Sequence, residues 1–324
     1  MFRLTFLSAT SKTTTHRVVP FSIQKLVISV AGYVAGGNDS GGKISGIDKV
    51  SFSADSKTTL SATLSVARSR LTGFANSGVA GYAAGGQDSS GRVSAIDKIA
   101  FPAETRTTIS ATLTTGNADA AGFANSGVAG YVAGGSTIGR INYIDKITFP
   151  ADTKTTLSAT LTTARLNGAG FANSGTAGYV AGGDDSGGNI SGIDKITFSA
   201  DTKTTLSATL TTARSEKPAG FANSGVAGYV AGGNDGAVIS GIDKITFSAD
   251  TKTTLSATLT TARSDFTGFA NSGTAGYAAG GVNSSGFISG IDKITFPADT
   301  KTTLSATLTT ARDNLIGFAD SGTL

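Results

Sequence analysis

The sequence contains no cysteine and no tryptophan, and it has one histidine (His16), one methionine and five prolines in 324 residues. Without cysteine there are no disulfides, no thiolate nucleophile and no sulfur-ligated zinc or iron–sulfur site. The lone imidazole of His16 leaves no basis for a Ser-His-Asp triad or a histidine metal cluster. Glutamate is nearly absent too, at Glu104 and Glu216 only. A glycosidase needs two carboxylates held a fixed distance apart, one with a raised pKa, and nothing in the spacing marks such a pair. These absences point away from an enzyme. Long apolar runs are also missing. The longest, around residues 26–35, falls far short of the ~20 residues that span a bilayer, so no membrane insertion is expected. The opening residues carry Arg3 but too short an apolar run for a secretory signal.

Charge is sparse, at 15% of residues, and unevenly placed. The formal charge of +4 comes wholly from residues 1–30, which carry Arg3, Lys12, Arg17 and Lys25 and no acid, so the rest holds 22 groups of each sign. With 39% hydrophobic residues the chain is too apolar and too regular for a disordered polymer.

Regularity is the dominant feature. The string Ala-Gly-Tyr-(Val/Ala)-Ala-Gly-Gly occurs six times, with its tyrosine at Tyr33, Tyr82, Tyr131, Tyr179, Tyr229 and Tyr277, at spacings of 49, 49, 48, 50 and 48. Each copy continues into Ile-Asp-Lys, a Phe, an acidic turn, Thr-Thr-Leu-Ser-Ala-Thr-Leu, Ala-Arg and Gly-Phe-Ala-Asn-Ser-Gly. Short β-prone runs alternate with Gly, Asn, Asp and Ser clusters, and no helical period is sustained. Each unit therefore reads as four strands: a (Gly-Phe-Ala-Asn-Ser-Gly), b (Gly-Tyr-Val-Ala-Gly-Gly), c (Ile-Asp-Lys-Ile-Thr-Phe) and d (Thr-Thr-Leu-Ser-Ala-Thr-Leu). Four antiparallel strands in a repeat of ~40–50 residues make the blade of a β-propeller.

The chain resembles a kelch repeat array over about residues 31 to 322. A double glycine closes strand b (Gly36-Gly37 and its five equivalents), an aromatic ends strand c (Phe52, Phe101, Phe149, Phe198, Phe247, Phe296), and an Arg follows strand d. The tryptophan that usually starts strand d in kelch blades is replaced by threonine, which sets the chain apart from the cytoplasmic adaptor branch. Its near-identical copies are more similar to kelch-type arrays in tail and fibre proteins of tailed bacteriophages. That resemblance implies a virion location and a binding or structural role.

The expected architecture is an all-β, six-bladed propeller over residues 31–324. Its first blade is completed by the C-terminal strand a, which removes the open sheet edges. Residues 1–30 read as a worn copy of the unit acting as a closure or docking segment, and they permit a seventh, incomplete blade.

Aligning the copies separates scaffold from free positions. Of 24 aromatics, 18 occupy three repeated positions and are assigned to the core between blades; the others are Phe2, Phe6, Phe21, Tyr143, Phe266 and Phe287. Variation is confined to the loop from b to c and the loop from d to the next a, which share one face of an up-and-down blade. Divergent loops on a rigid scaffold are the usual form of a binding surface, although exposed loops also drift when nothing constrains them. On that face Tyr143, Asp265, Phe266, Asn283, Phe287, Arg70 and Arg140 are the candidate ligand-binding residues. Phe266 and Phe287 are expected on one blade, exposed to stack on a sugar or a partner's apolar patch. Either ring folded over its own loop is an equally good reading.

Arg68, Arg165, Arg214, Arg263 and Arg312 recur after strand d, with Asn117 in the remaining copy, and Asp48, Asp97, Asp145, Asp194, Asp243 and Asp292 recur in strand c. Groups needed in nearly every blade read as structural ties, since buried charges must be paired. Acidic loops such as 38–42 and 184–188 are Asp/Ser/Gly turns that need no calcium. The variable face mixes ten basic with nine acidic residues and is no nucleic-acid stripe. No metal or other cofactor is expected. The expected partners are other structural proteins of a larger assembly, a cell-surface glycan or receptor, or further copies of the chain, since a body of zero net charge resists self-association weakly.

Overall fold

Strand b, with its run Ala-Gly-Tyr-(Val/Ala)-Ala, is apolar on both faces and is buried at all five positions in every copy. Strand c alternates, and the outermost strand, Thr-Lys-Thr-Thr in most copies, is mostly exposed. This gradient from axis to rim is what a blade wedged between two others requires. A computed structural model describes residues 30–320 and contains six four-stranded antiparallel sheets, ordered a-b-c-d outward from a common axis. Among the described residues there is no helix. The protein is a six-bladed β-propeller. The closure or docking role given to residues 1–30, and the incomplete seventh blade, fall essentially outside the described residues.

Strands a are Thr72–Asn76, Ala121–Asn125, Ala169–Asn173, Ala219–Asn223, Thr267–Asn271 and Ile316–Ala319. The last belongs to blade 1, where it pairs antiparallel with strand b, Ala31–Ala35, in the register Gly32 with Ala319 and Ala35 with Ile316. The ring is thus closed by the C-terminal strand, as the order of units implies. Strands c begin with Ile47–Ser51 in blade 1 and Ile96–Ala100 in blade 2.

Strand d departs from its sequence reading. It covers Ser56–Thr59 in blade 1 and Thr105–Thr108 in blade 2, earlier and shorter than Thr-Thr-Leu-Ser-Ala-Thr-Leu. After the Leu60 N–H donates to the Ile47 carbonyl, the chain leaves the sheet edge and climbs beside its own loop from b to c, with Leu64 N–H donating to Ser45. That path buries Leu64 between blades, and an extended strand would have left it at the rim.

The junctions repeat. Tyr82 of blade 2 stacks on Phe149 of blade 3 at a centroid distance of 5.1 Å and on Phe74 of its own blade at 5.0 Å, and the Tyr–Phe stack between blades recurs at the other junctions. The Phe74 ring also lies against Gly130 of strand b in blade 3, where a Cβ would come within 2.0 Å of it. Two rings of ion pairs flank these aromatics. Towards the variable face, Arg68 donates to Asp97 at 3.1 Å, Arg165 to Asp194 at 2.5 Å, Arg263 to Asp292 at 2.9 Å, Arg312 to Asp48 at 3.1 Å, and Arg214 to Asp243. All ten groups are buried. Each carboxylate is also bonded to threonines or serines; Asp48, for instance, accepts from Thr59 and from the Thr309 amide and hydroxyl. Towards the other face, Lys98 of blade 2 and the Tyr82 hydroxyl both reach Asp152 of blade 3, at 2.7 and 2.8 Å, and all six junctions have this arrangement. Burial, reinforced by these carboxylates, raises the tyrosine pKa values well above the ordinary range.

Gly178→Ala is expected to cost about 3 kcal/mol or more, because its Cβ would lie 2.0 Å from the Phe123 ring. Gly192→Ala, where nothing lies within 4 Å, should change stability by less than about 0.5 kcal/mol. Arg165→Met leaves the Asp194 carboxylate buried without its guanidinium and should cost about 3–5 kcal/mol. Urea unfolding of the three variants measures each effect.

Candidate functional site

Between the end of strand d and the next strand a, successive residues have separate tasks. In the connection into blade 2, Arg68 is the buried tie, and Ser69 exchanges backbone hydrogen bonds with Gln87 of the loop from b to c. Arg70 follows in the left-handed region, and Leu71 turns into the core. Equivalent bridges in the other sectors (Asn38 with Asp313, Ala118 with Ser136, Leu166 with Asp184, Ser215 with Asn234, Ser264 with Val282) place the two variable loops on one face.

The left-handed residues, Arg70, Asp119, Asn167, Glu216, Asp265 and Asn314, have φ between 52° and 60°. Asn and Asp tolerate this conformation best, whereas Arg and Glu are held in it by their surroundings. They form a ring at the axis. Asp119 N–H donates to the Arg70 carbonyl at 2.9 Å, Asn167 to Asp119 at 2.8 Å, Asp265 to Glu216 at 2.8 Å, Asn314 to Asp265 at 2.7 Å, and Arg70 to Asn314 at 2.8 Å. In the remaining sector, the connection into blade 5, there is one extra residue, Lys217, also left-handed. Six side chains of four kinds are thereby set at equivalent points around this end of the axis.

With Arg92 and Ser136 from neighbouring loops, the ring lines a depression of about 320 Å³. Lys217 lies below it, 8% exposed, and donates from Nζ to the Leu71 carbonyl at 3.0 Å. Burial lowers its pKa, against the pull of Asp119 and Asp265. Burial likewise pushes Asp265 up to about 6; Lys217 opposes the rise, and Asp313, Glu216 and Asp119 add to it. Arg70 donates to Asp119 at 3.4 Å. The depression therefore gathers three carboxylates, two guanidinium groups and two amides.

The candidates read from sequence are dispersed. Arg70 and Asp265 line the depression. Phe266 does not: it is 2% exposed, so its expected exposure is corrected. It occupies the inward position held by Leu71 and Leu315 in other sectors, and it packs against Ala219 and Leu259 in the wedge between blades 5 and 6 with its ring 5.2 Å from the Arg263 guanidinium. Phe287 is 36% exposed on the small hairpin of blade 6, and the side chain of Asn283 is engaged within that hairpin by the Ser285 amide. Arg140 is bound to Asp184 of the next blade. The Tyr143 hydroxyl bonds Thr115 in the connection leaving blade 2. Tyr143 stands where other copies have Gly or Ala, at the junction where Asn117 replaces the arginine tie to Asp145. It links two blades that lack the buried guanidinium. Asp145 there keeps only Thr114 and Thr156 as hydrogen-bond donors, with Lys154 at 3.8 Å.

Asp119, Asn167, Glu216, Lys217 and Asn314 escaped the sequence reading. Five of the six ring residues stand two positions before strand a, an offset that an alignment of the copies shows. Their differing identities hide the shared role. No protein-family model matches the chain, and no curated protein matches it.

Folding takes up a proton at Asp265 between the ordinary carboxylate value near 4 and about 6. Its contribution to stability is therefore intact below that interval and declines as the pH rises through it. Asp320, also raised to about 6, acts in the same window. Asp265→Asn should raise stability at pH 7 by about 1–3 kcal/mol and flatten part of the decline, measured by urea unfolding at pH 4, 5, 6 and 7.

Proposed function

We propose that this kelch-like propeller is a non-enzymatic binding module of a larger particle, a phage tail or fibre component that recognises a cell-surface glycan or protein receptor through its variable face. The observation that carries the reading is the ring at this end of the axis. Six equivalent backbone positions present Arg, Asp, Asn, Glu, Asp and Asn, while neighbouring positions in the same connections keep their structural roles. The phage assignment draws on the resemblance of the repeat wording. The non-enzymatic reading draws on composition.

A second reading has its own observation. On the opposite face, the turns between strands a and b carry Val79, Val128 and Val226 about half exposed around the other end of the axis. Such a patch suits a subunit that docks to other virion or scaffold proteins.

Capture of intact bacterial cells, or of arrayed glycans and surface polymers, distinguishes the two. Arg70→Ala with Glu216→Gln should reduce capture at least about ten-fold, and a Val79, Val128 and Val226 to Ser triple variant should leave it unchanged. The reverse pattern would favour the docking subunit. Release of new reducing ends from a captured glycan would overturn the non-enzymatic reading.

A further inference from the structure

The ring order gives this end of the axis a direction. Arg70, in the connection into blade 2, stands three blades from Glu216, in the connection into blade 5. Asp265 adjoins Glu216 in blade 6, and Arg92 joins Arg70 from the loop of blade 2. Both guanidinium groups therefore share one wall, with Asp119 paired to Arg70, and the other two carboxylates stand on the opposite wall.

Each wall has spare bonding capacity. The Arg70 side chain is 48% exposed, and its one ion pair, to Asp119, is a long 3.4 Å. Arg92 donates from Nη2 to Ser136 Oγ at 3.0 Å, and its other N–H groups have no acceptor among the described residues. Opposite, Glu216 accepts through Oε2 from Asn234 at 2.8 Å, which leaves Oε1 open. Between the walls, Asn167 Oδ1 is a buried acceptor without a donor. A buried acceptor left unsatisfied is costly, and Asn167 is one of the residues that line the depression. With Lys217 below, under the field of Asp119 and Asp265, three cations face three carboxylates, so the mouth is close to neutral as a whole. A singly charged ligand would satisfy one wall and leave the other desolvated and unpaired.

We propose that the depression takes a compact zwitterion, with its carboxylate or phosphate against Arg70 and Arg92 and its ammonium against Glu216 and Asp265. A volume of about 320 Å³ is at the small end for ligand pockets and fits a group of that size. Lys217 closes the floor, so the ligand enters from the variable face only. The inference rests on the variable face being the binding surface. Its chemistry is shared by free zwitterions and by zwitterionic headgroups.

The test titrates the full chain, by calorimetry and by NMR, with phosphoethanolamine and β-alanine, and with inorganic phosphate, ethanolamine and propionate as the separate halves. The zwitterions should bind at least about ten-fold tighter than either half. Glu216→Gln should remove that advantage and leave the affinity for phosphate unchanged, whereas Arg92→Ala should weaken both. Vesicles of phosphatidylethanolamine form a second arm. Retention on them assigns the ligand to a lipid headgroup, and binding of the free zwitterions alone assigns it to a soluble or polymer-borne group; both support the proposal. Halves that bind as well as the zwitterions, or no binding at about 10 mM, would overturn it. If Glu216→Gln abolishes capture of cells while no zwitterion binds, the ligand class alone is wrong. If capture ignores both variants, the binding-face reading fails with it.

Discussion

Six glycines, Gly73, Gly122, Gly170, Gly220, Gly268 and Gly317, are where the blades meet at the axis, each backbone lying against the carbonyl of the preceding one. A Cβ at any of these positions would come within 2.2–2.8 Å of that oxygen. Because the inner strands approach so closely, the space left among them is only about 60 Å³. The axis is a packed seam with no passage for a ligand. The axis itself has no room for another molecule, and only one of its two ends varies between copies.

Moving outward, the wedge between blades widens and its filling grows with it. Glycine meets glycine at the axis, a Phe ring meets the glycine of strand b, and the Tyr and Phe stacks and buried ion pairs lie beyond. The junction between blades 2 and 3 shows what this scheme tolerates. With Asn117 in place of arginine, its Nδ2 still donates to the Gly134 carbonyl at 2.9 Å, but Oδ1 has no donor and Asp145 lacks its guanidinium. Tyr143 supplies a different link through Thr115. A ring closed by many equal junctions survives one weaker member because the other five hold the geometry.

The blade count, the closing strand and the aromatic core were legible in the sequence because each depends on a residue type recurring at a fixed interval. Strand d was misplaced because Thr-Thr-Leu-Ser-Ala-Thr-Leu has strand composition, yet Leu64 must reach the wedge and so ends the strand at Thr59. Phe266 was misjudged for a related reason: a variable position suggests exposure, but here the residue after a left-handed turn points inward whatever its identity. The mouth itself was hidden because its members share a backbone conformation and no side-chain chemistry. Alignment by residue type groups what is alike, and this ring is made of what differs.

Drift and selection leave different traces at such positions. A loop that drifts without constraint accumulates charges that water screens, at little energetic consequence. At this mouth, a lysine lies buried under the rim, a carboxylate is pushed to about pH 6 by burial and by its acidic neighbours, and a buried amide oxygen lacks a donor. Each of these costs stability in the free protein. The scaffold has meanwhile paired most of its own charges, with five buried Arg–Asp ties on one side of the aromatics and six lysine–carboxylate pairs on the other. Unsatisfied atoms also occur in those ties, where Asn117 Oδ1 lacks a donor and the Nε of each buried arginine lacks an acceptor; what sets the mouth apart is a buried lysine beside a carboxylate raised to about 6, at the one place the repeat leaves free.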